Sequence, residues 1–422
     1  MPNTLADWLT YLESLHPKSI ELGLARVSEV KSLLNLSPDF PVIVVGGTNG
    51  KGSVCAMTES ILHEAGYRVG CYTSPHLLHY NERVRIGKCV VSDEALCGAF
   101  AKIEQARGDI SLTYFEFGTL AAMLLFTDSK LDVAILEVGL GGRLDAVNVF
   151  DADCAIVTSV DIDHTDYLGD TREAIAYEKA GIFRRDRVAI FADSEVPQAI
   201  RQYAQEVGAQ LWCIGHEFGF KAHQGQWDFR SKLAAHAALP HPALRGAFQL
   251  HNASAVLAAL DVLKWRLPVS MDAIRRGLIH VQLAGRFQFV PGKPQLILDV
   301  AHNPHAARTL AQNLVGLPPC PHTYAVFAML KDKDMAGVVA ALNPYIDTWL
   351  VAGIDAPRGA SAEELADVLR EVGVRGAVMR FHDTAHAIAY ACDVAGDDDR
   401  IAAFGSFYTV AETMQARGIR VV

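Results

Sequence analysis

Short apolar runs alternate along this chain with longer stretches in which apolar residues recur every three or four positions. In the first two-thirds the runs are Val42–Val45, Val69–Thr73, Val133–Val138, Cys154–Val160 and Val188–Ala192. They are rich in Val, Ile and Ala and do not alternate with polar residues, which predicts strands buried on both faces of a mainly parallel sheet. Helical spacing fills the gaps at Ser53–Ala65, Phe115–Phe126 and Thr171–Gly181. That is the rhythm of an α/β fold. A second series opens near residue 295, with runs Gln295–Val300, Tyr324–Ala328, Trp349–Ala352, Val378–Phe381 and Ile401–Phe404. Helical segments His305–Val315, Met335–Leu342, Ala362–Val372, Ala385–Ala395 and Thr409–Arg417 alternate with them. Leu283–Pro294 (LAGRFQFVPGKP) is punctuated by Gly and Pro between the two series. A boundary is expected there, giving domains 1–284 and 285–422. Phe218–Leu239 reads as a hairpin excursion, Gly396–Arg400 (GDDDR) as a solvated turn, and Met1–Leu15 as an amphipathic helix.

Composition narrows the picture. At 422 residues, half of them hydrophobic and a fifth charged, the chain can bury large cores without disulfide or metal staples. Lys and Arg number 38 against 48 Asp and Glu, a net charge of -10. A bulk electrostatic grip on nucleic acid is therefore excluded as an expectation. An anionic ligand would need local cations and aimed backbone N–H groups. The eight cysteines form no C-x-x-C pair and sit mostly in apolar runs, which suits reduced, buried thiols. No stretch approaches 18 uninterrupted apolar residues, so no membrane partner is expected. Met1–Leu15 has neither a basic start nor an apolar secretory core, and a cytoplasmic protein is the expectation.

Candidate chemistry gathers where strands end. Pro41–Ser53 reads PVIVVGGTNGKGS: a buried strand, a glycine-rich turn, a lysine, then a helix. Glycines let N–H groups turn towards phosphate oxygens, and the helix start and Lys51 add positive charge. The strict pattern G-x-x-x-x-G-K-[ST] is broken twice. Val45 stands for the first glycine, and Gly52 follows Lys51, so the metal-binding hydroxyl is absent there. A hydroxyl occurs instead in Tyr72–Leu77 (YTSPHL), where Ser74 precedes a proline that holds it extended. Ile135–Asn148 (ILEVGLGGRLDAVN) ends a strand on Glu137 and follows it with glycines, without the G-x-G-x-x-G spacing of a dinucleotide site. Ser159–Gly169 (SVDIDHTDYLG) crowds Asp161, Asp163, His164 and Asp166 beyond a strand's carboxyl end, where α/β sheets bind ligands. Such oxygens and nitrogens suit Mg²⁺ beside phosphate.

In Tyr177–Phe183 (YEKAGIF), apolar neighbours would depress the pKa of Lys179 and let its neutral amine take up CO₂; an ion pair with Glu178 or a nearby acid is the plainer alternative. Arg286 in LAGRF, and Asp299 and His302 in Leu298–Pro304 (LDVAHNP), fall at the start of the second series. Asn252 is read as opening an apolar helix, Ala253–Leu263, either as its N-cap or as a nucleotide contact.

In order, GTNGKGS, TSPHL, TYFEF, EVGLGGRLDA, SVDIDHTDYLG, EKAGIF, GRF and LDVAHNP resemble the folylpolyglutamate synthase and dihydrofolate synthase family of the Mur ligase superfamily. The motifs run from Ile20 to Pro304. The resemblance implies a P-loop-type, mainly parallel ATPase domain followed by a smaller Rossmann-like α/β domain for glutamate ligation. Thr48, Asn49, Gly50, Lys51 and Gly52 would wrap the phosphates of ATP, and Asn252, Arg286 and Asp299 would contact the nucleotide. Ser74, Glu137 and His164 would hold Mg²⁺, with Lys179, carbamylated, supporting a second. Ile20, Glu21, Leu22, Thr113, Tyr114, Phe115, Glu116, Leu144, Asp145 and Ala146 would form the pterin side of the pocket, with Phe117 a further candidate for stacking. Lys51, His164, Lys179 and His302 would serve catalysis.

The implied activity joins L-glutamate to dihydropteroate and to the glutamate tail of folates, through an acyl phosphate, in a monomer. A closing cleft hinged at Leu283–Pro294 would keep water from that intermediate. The alternatives are folate-tail extension alone, or another Mur-type amino-acid ligase. A separate domain before the phosphate loop is typical of the peptidoglycan ligases, and 45 residues before Gly46 are too few for one.

Overall fold

The computed structural model describes residues 2–18 and 20–420. The chain packs into two compact units, Met1–Ala243 with Leu250–Val281, and Leu244–Gln249 with Gln282–Val422.

In the first unit, eight strands form one sheet: β1 Val42–Gly46, β2 Val69–Tyr72, β3 Val84–Ile86, β4 Cys89–Val90, β5 Val133–Glu137, β6 Cys154–Val157, β7 Val188–Phe191 and β8 Gln210–Cys213. Their order is β4-β3-β2-β5-β1-β6-β7-β8. The pairs from β2 across to β8 are parallel, and the short β3–β4 hairpin is antiparallel at one edge. Every residue of β1, β2, β5 and β6 is buried, which is why the sequence shows them as unbroken apolar runs.

The helices here are α1 Leu5–Leu15, α2 Ala25–Leu33, α3 Lys51–Glu64, α4 Asp93–Arg107, α5 Tyr114–Asp128, α6 Thr165–Leu168, α7 Arg172–Ala180, α8 Gln198–Val207, α9 Gln249–Leu263 and α10 Met271–His280. Local chemistry sets their starts. Thr4 with Asp7 and Thr113 with Glu116 form capping boxes, and Ser92 and Thr171 accept first-turn N–H groups. Helix α1 turns Leu5, Trp8 and Leu12 inward. Phe218–Leu239 is more than a hairpin: β9 Phe218–Ala222, β10 Gln226–Ser231 and β11 Ala235–Pro240 make a separate antiparallel sheet.

The second unit holds β12 Gln288–Val290, β13 Gln295–Asp299, β14 Thr323–Phe327, β15 Thr348–Ala352, β16 Ala377–Phe381 and β17 Arg400–Phe404, in the order β12-β13-β17-β14-β15-β16. All pairs are parallel except β12 with β13. Five helices alternate with the strands: α11 Pro304–Val315, α12 Met335–Leu342, α13 Ala362–Val372, α14 Thr384–Val394 and α15 Phe407–Ala416. Trp349 anchors this core against Phe327 and Phe404, at ring separations of 5.5 and 6.1 Å. The expected solvated turn at Gly396–Arg400 needs correcting at its last residue. Arg400 is buried, and its guanidinium donates to Gln295 Oε1 (3.0 Å) and to the Pro318 carbonyl (2.8 Å).

Candidate active site

Register brings the motifs of the first unit together. Val45 of β1 lies opposite Glu137 of β5, Gly46 opposite Val157 of β6, and Tyr72 of β2 opposite Leu136 of β5. The carboxyl ends of β2, β5, β1 and β6 are therefore level neighbours. From them emerge the Thr73–Ser74 turn, the Glu137 carboxylate, the glycine-rich loop and the segment Thr158–His164. A parallel sheet places its ligand crevice there.

The glycine-rich loop is stitched to the segment after β6. Thr48 N–H donates to the Ser159 carbonyl (2.8 Å), and Asn49 N–H donates to Ser159 Oγ (3.1 Å). Thr158 Oγ1 donates to the Asn49 carbonyl (2.6 Å), and Thr48 Oγ1 to the Asp161 carbonyl (3.1 Å). Two glycines are obligatory. Gly47 (φ 141°) lies against the Thr158 side chain where a Cβ would stand, and a Cβ on Gly50 (φ 88°) would stand 2.8 Å from Asn252 Oδ1. Gly50 caps α3, whose first-turn N–H groups have no carbonyl four residues back within the helix. The Lys51 ammonium curls over the loop onto the Gly47 (3.0 Å) and Thr48 (3.2 Å) carbonyls. Asn252 does not open its helix, as the sequence suggested: α9 begins at Gln249, and Asn252 is its fourth residue, buried against the loop.

Ser74 and Glu137 are joined directly, because Ser74 N–H donates to Glu137 Oε2 (3.1 Å). Glu137 is buried. His164 adopts the left-handed conformation (φ 53°, ψ 43°) just before α6, a backbone state that a β-carbon disfavours. Its N–H is held by Asp163 Oδ1 (2.8 Å). Among the described residues no group of three or more His, Cys, Asp or Glu is arranged to hold a metal by itself. Ser74, Glu137 and His164 instead offer a hydroxyl, a carboxylate and an imidazole. That partial set fits a hard cation that takes its other ligands from phosphate and water, as Mg²⁺ does.

Lys179, in the last turn of α7, is buried. Burial, then the charge of Lys51, lowers its pKa to about 7, against the opposing pull of Asp163 and Asp145. Of the plain alternatives, a pair with Glu178 or with another nearby acid, the first is not what forms, since Glu178 binds Arg143 (2.8 Å); the acids that act on Lys179 are Asp163 and Asp145. The glycines after Glu137 bring this helix close. A Cβ on Gly142 would stand 2.8 Å from the Glu178 carbonyl and 3.0 Å from that of Lys179. Burial also raises the Asp145 carboxyl to about 7, although it accepts N–H groups from Leu140 (2.8 Å) and Val147 (3.0 Å).

On the expected pterin side, Gly23 N–H meets the Leu144 carbonyl (3.2 Å), so the Ile20–Leu22 stretch runs beside Leu144–Ala146. Arg26 links Glu21 (3.6 Å) to the buried Glu116 (3.1 Å). Glu116 is thus occupied by its capping box and by Arg26. Tyr114 and Phe115 are half-buried; Phe115 faces Tyr72 at 5.8 Å, and Tyr114 meets Tyr80 edge-on at 5.7 Å. Phe117 turns fully inward against Phe100 (5.6 Å) and is core, so it leaves the set of stacking candidates.

Arg286, Asp299 and His302 form their own group in the second unit. Asp299 accepts the N–H groups of Phe287 and Ala301 (both 2.8 Å), and burial raises it to about 6. The Arg286 guanidinium lies 5.0 Å from the centre of the Phe407 ring, and the His302 ring 6.2 Å from it. His302 Nδ1 is held by the Val300 carbonyl (2.8 Å).

Comparison with known proteins places this geometry. Residues 45–260 match the Mur ligase middle domain, and residues 285–407 the Mur ligase glutamate ligase domain. The Escherichia coli (strain K12) dihydrofolate synthase/folylpolyglutamate synthase is 48% identical, over 97% of this chain and 95% of its own. The chain belongs to the dihydrofolate synthase/folylpolyglutamate synthase family. The Haemophilus influenzae member is 43% identical, over 97% of this chain and 96% of its own. Among solved structures of the family, E. coli FolC in complex with DHPP and ADP superposes with a TM-score of 0.94, at 46% identity, covering 99% of both chains. A bifunctional member with Mn, AMPPNP and L-glutamate bound gives 0.91, at 47% identity, covering 99% of this chain and 98% of its own.

Against the family motifs, sequence reasoning missed the residues that hold the site rather than form it. Thr158 and Ser159 fasten the glycine-rich loop, and Arg26, Arg143 and Arg85 fasten its surroundings. Ser159 opens the SVDIDHTDYLG motif without a role of its own there, and both residues fall within the apolar run Cys154–Val160, whereas the strand ends at Val157. The arginines carry no sequence signal, because each pairs with a carboxylate far along the chain.

Proposed function

We propose that this chain is an ATP-dependent ligase that adds L-glutamate to dihydropteroate and to the glutamate tail of tetrahydrofolates, releasing ADP and phosphate. One observation carries the reading: a lysine-bearing phosphate loop and a Ser74–Glu137 pair lie level on neighbouring strand ends, in a chain that matches bifunctional relatives over nearly its full length.

A carboxylate is a poor electrophile, so its oxygen first attacks the γ-phosphorus of ATP, expelling ADP and giving an acyl phosphate. The glutamate amine then attacks the acyl carbon. The tetrahedral intermediate expels inorganic phosphate, and the amine gives up a proton to leave the amide. Lys51 and the first-turn N–H groups of α3 oppose the charge gathered on the transferring group. Ser74, Glu137 and His164 would hold Mg²⁺, which when bound neutralises phosphate charge. Asn252 abuts the loop at Gly50 and would border the nucleotide. Arg286 and Asp299, with His302 in the same group, would contact the nucleotide. Tyr114 and Phe115, with Ile20–Leu22 and Leu144–Ala146, would line the pocket for a pterin, the two aromatic rings offering faces for stacking. Lys179 as a carbamate would add an anionic oxygen near the second metal position. In this reading residues 1–284 bind ATP and pterin and residues 285–422 carry glutamate ligation, in a cytoplasmic monomer. Among the described residues no helix is long and apolar enough to cross a membrane.

The test is ADP release with Mg²⁺-ATP and L-glutamate, adding dihydropteroate or tetrahydrofolate in turn. Release with both establishes the bifunctional enzyme. Release with tetrahydrofolate alone leaves tail extension, and release with neither removes the folate assignment.

A further inference from the structure

Beside the strand ends, one buried charge is used by none of the steps above. Arg85 belongs to β3, one strand in from the sheet edge, and its side chain points inward and is 19% exposed. Its guanidinium forks onto Glu59, with Nε 3.0 Å and Nη2 2.8 Å from Oε2. Glu59 sits on α3 two turns beyond Lys51, and its side chain is 5% exposed. The remaining donors reach the exit of β2. Nη1 donates to Thr73 Oγ1 (3.2 Å) and the Glu82 carbonyl (3.0 Å), and Nη2 to Cys71 Sγ (3.2 Å). Thr73 N–H also donates to the Arg83 carbonyl (2.9 Å). Thr73 adjoins Ser74, whose N–H fixes Glu137 Oε2. One planar fork thus ties the helix that begins at the phosphate loop to the turn that carries the candidate metal hydroxyl.

A buried ion pair is a poor source of stability, because desolvation consumes most of the attraction. Its use here is geometric: the guanidinium has donors in fixed directions, which an ammonium lacks. We propose that Arg85, held by Glu59, is a positioning residue that sets Thr73–Ser74 against Glu137 so that hydroxyl and carboxylate meet one Mg²⁺. The proposal rests on the reading of Ser74 and Glu137 as metal-holding residues.

The test titrates Mn²⁺ into the full-length protein with ADP, followed by electron paramagnetic resonance, beside thermal melting and the Mg²⁺ dependence of ADP release. Arg85→Lys keeps the charge and loses the fork. Arg85→Met with Glu59→Gln removes both charges, leaving no buried ion unpaired. Thr73→Val removes one acceptor at equal size, and Ser74→Ala removes the candidate ligand itself. The expected result is Mn²⁺ binding weakened about tenfold in Arg85→Lys and in the double variant, the low end for residues that orient metal ligands. Thr73→Val weakens it less, and turnover is largely regained at saturating Mg²⁺. Should the double variant not fold, Arg85→Lys and Thr73→Val decide. Wild-type Mn²⁺ affinity in the Arg85 variants, with weakening in Ser74→Ala, would overturn the positioning role alone. Unchanged affinity in Ser74→Ala as well would overturn the metal reading and the proposal with it.

Discussion

At the scale of single residues, the site works by placing groups where their ordinary behaviour changes. A lysine of pKa 10.5 is neutral in about one molecule in three thousand at pH 7, whereas one of pKa about 7 is neutral in half. Only the neutral amine can attack CO₂, so burial raises the fraction of Lys179 that is chemically able to do so. The shift also has a stability sign. Between pH 10.5 and about 7 the unfolded chain holds a proton that the folded chain lacks. The contribution is therefore complete above 10.5 and is lost as pH falls towards 7. In CO₂-free buffer, wild type should gain melting temperature over Lys179→Met as pH rises from about 7 to 9.5; a constant difference would refute the shift.

Gly50→Ala makes a second expectation, since a Cβ there meets Asn252 Oδ1 in a left-handed backbone. Nucleotide affinity should fall at least about tenfold by calorimetry, with little change in pterin binding. Residues with odd company were legible in the sequence: a lysine among apolar neighbours, a glutamate ending a buried strand. Arg85 was not, because its chemistry depends on Glu59, which no local pattern joins to it.

At the scale of elements, legibility followed burial. Strands β1, β5 and β6 are covered on both faces and therefore read as continuous apolar runs. Strands β3 and β4 lie at or beside a sheet edge and are partly exposed, and their sequences carry no such run. Helix α9 starts three residues before the expected Asn252, because Gln249–His251 lack the apolar spacing that marks the rest. Helix α5 shows where periodicity divides roles within one motif. Phe117 is sealed in the core against Phe100, while Phe115 is half-buried beside Tyr72 and Gly139. Phe117→Ala should cost about 3–5 kcal/mol of stability in urea unfolding. Phe115→Ala should cost less and instead raise KM for dihydropteroate, leaving KM for ATP unchanged. Equal losses of stability would remove Phe115 from the pocket.

At the scale of the whole molecule, the chain does not change units once. A break near Leu283–Pro294 is announced by Gly and Pro; Pro240, Pro242 and Gly246 punctuate the chain around Leu244–Gln249 as well, but at six residues inside the first unit's sequence that segment opens no second series of strands and helices. Its contacts explain where it belongs. The Arg245 guanidinium lies 4.5 Å from the centre of the Phe289 ring, and Ala247 N–H donates to Asn313 Oδ1 (2.9 Å). Gly246, at φ 127°, lets the backbone come close to that same asparagine, and the Phe248 ring meets His305 at 5.8 Å. The second unit has its own sheet and its own core around Trp349, so residues 282–422 should fold when expressed alone. They should do so incompletely stabilised. One cation–π contact and one hydrogen bond are together worth about 1–2 kcal/mol. Joining residues 244–249 to that fragment by a flexible Gly/Ser linker should therefore raise its melting temperature by about 5 °C. Replacing Arg245 and Asn313 by alanine in the joined fragment should return the melting temperature to that of 282–422. If the joined and bare fragments melt together, the segment contributes nothing to the second unit and belongs to the first.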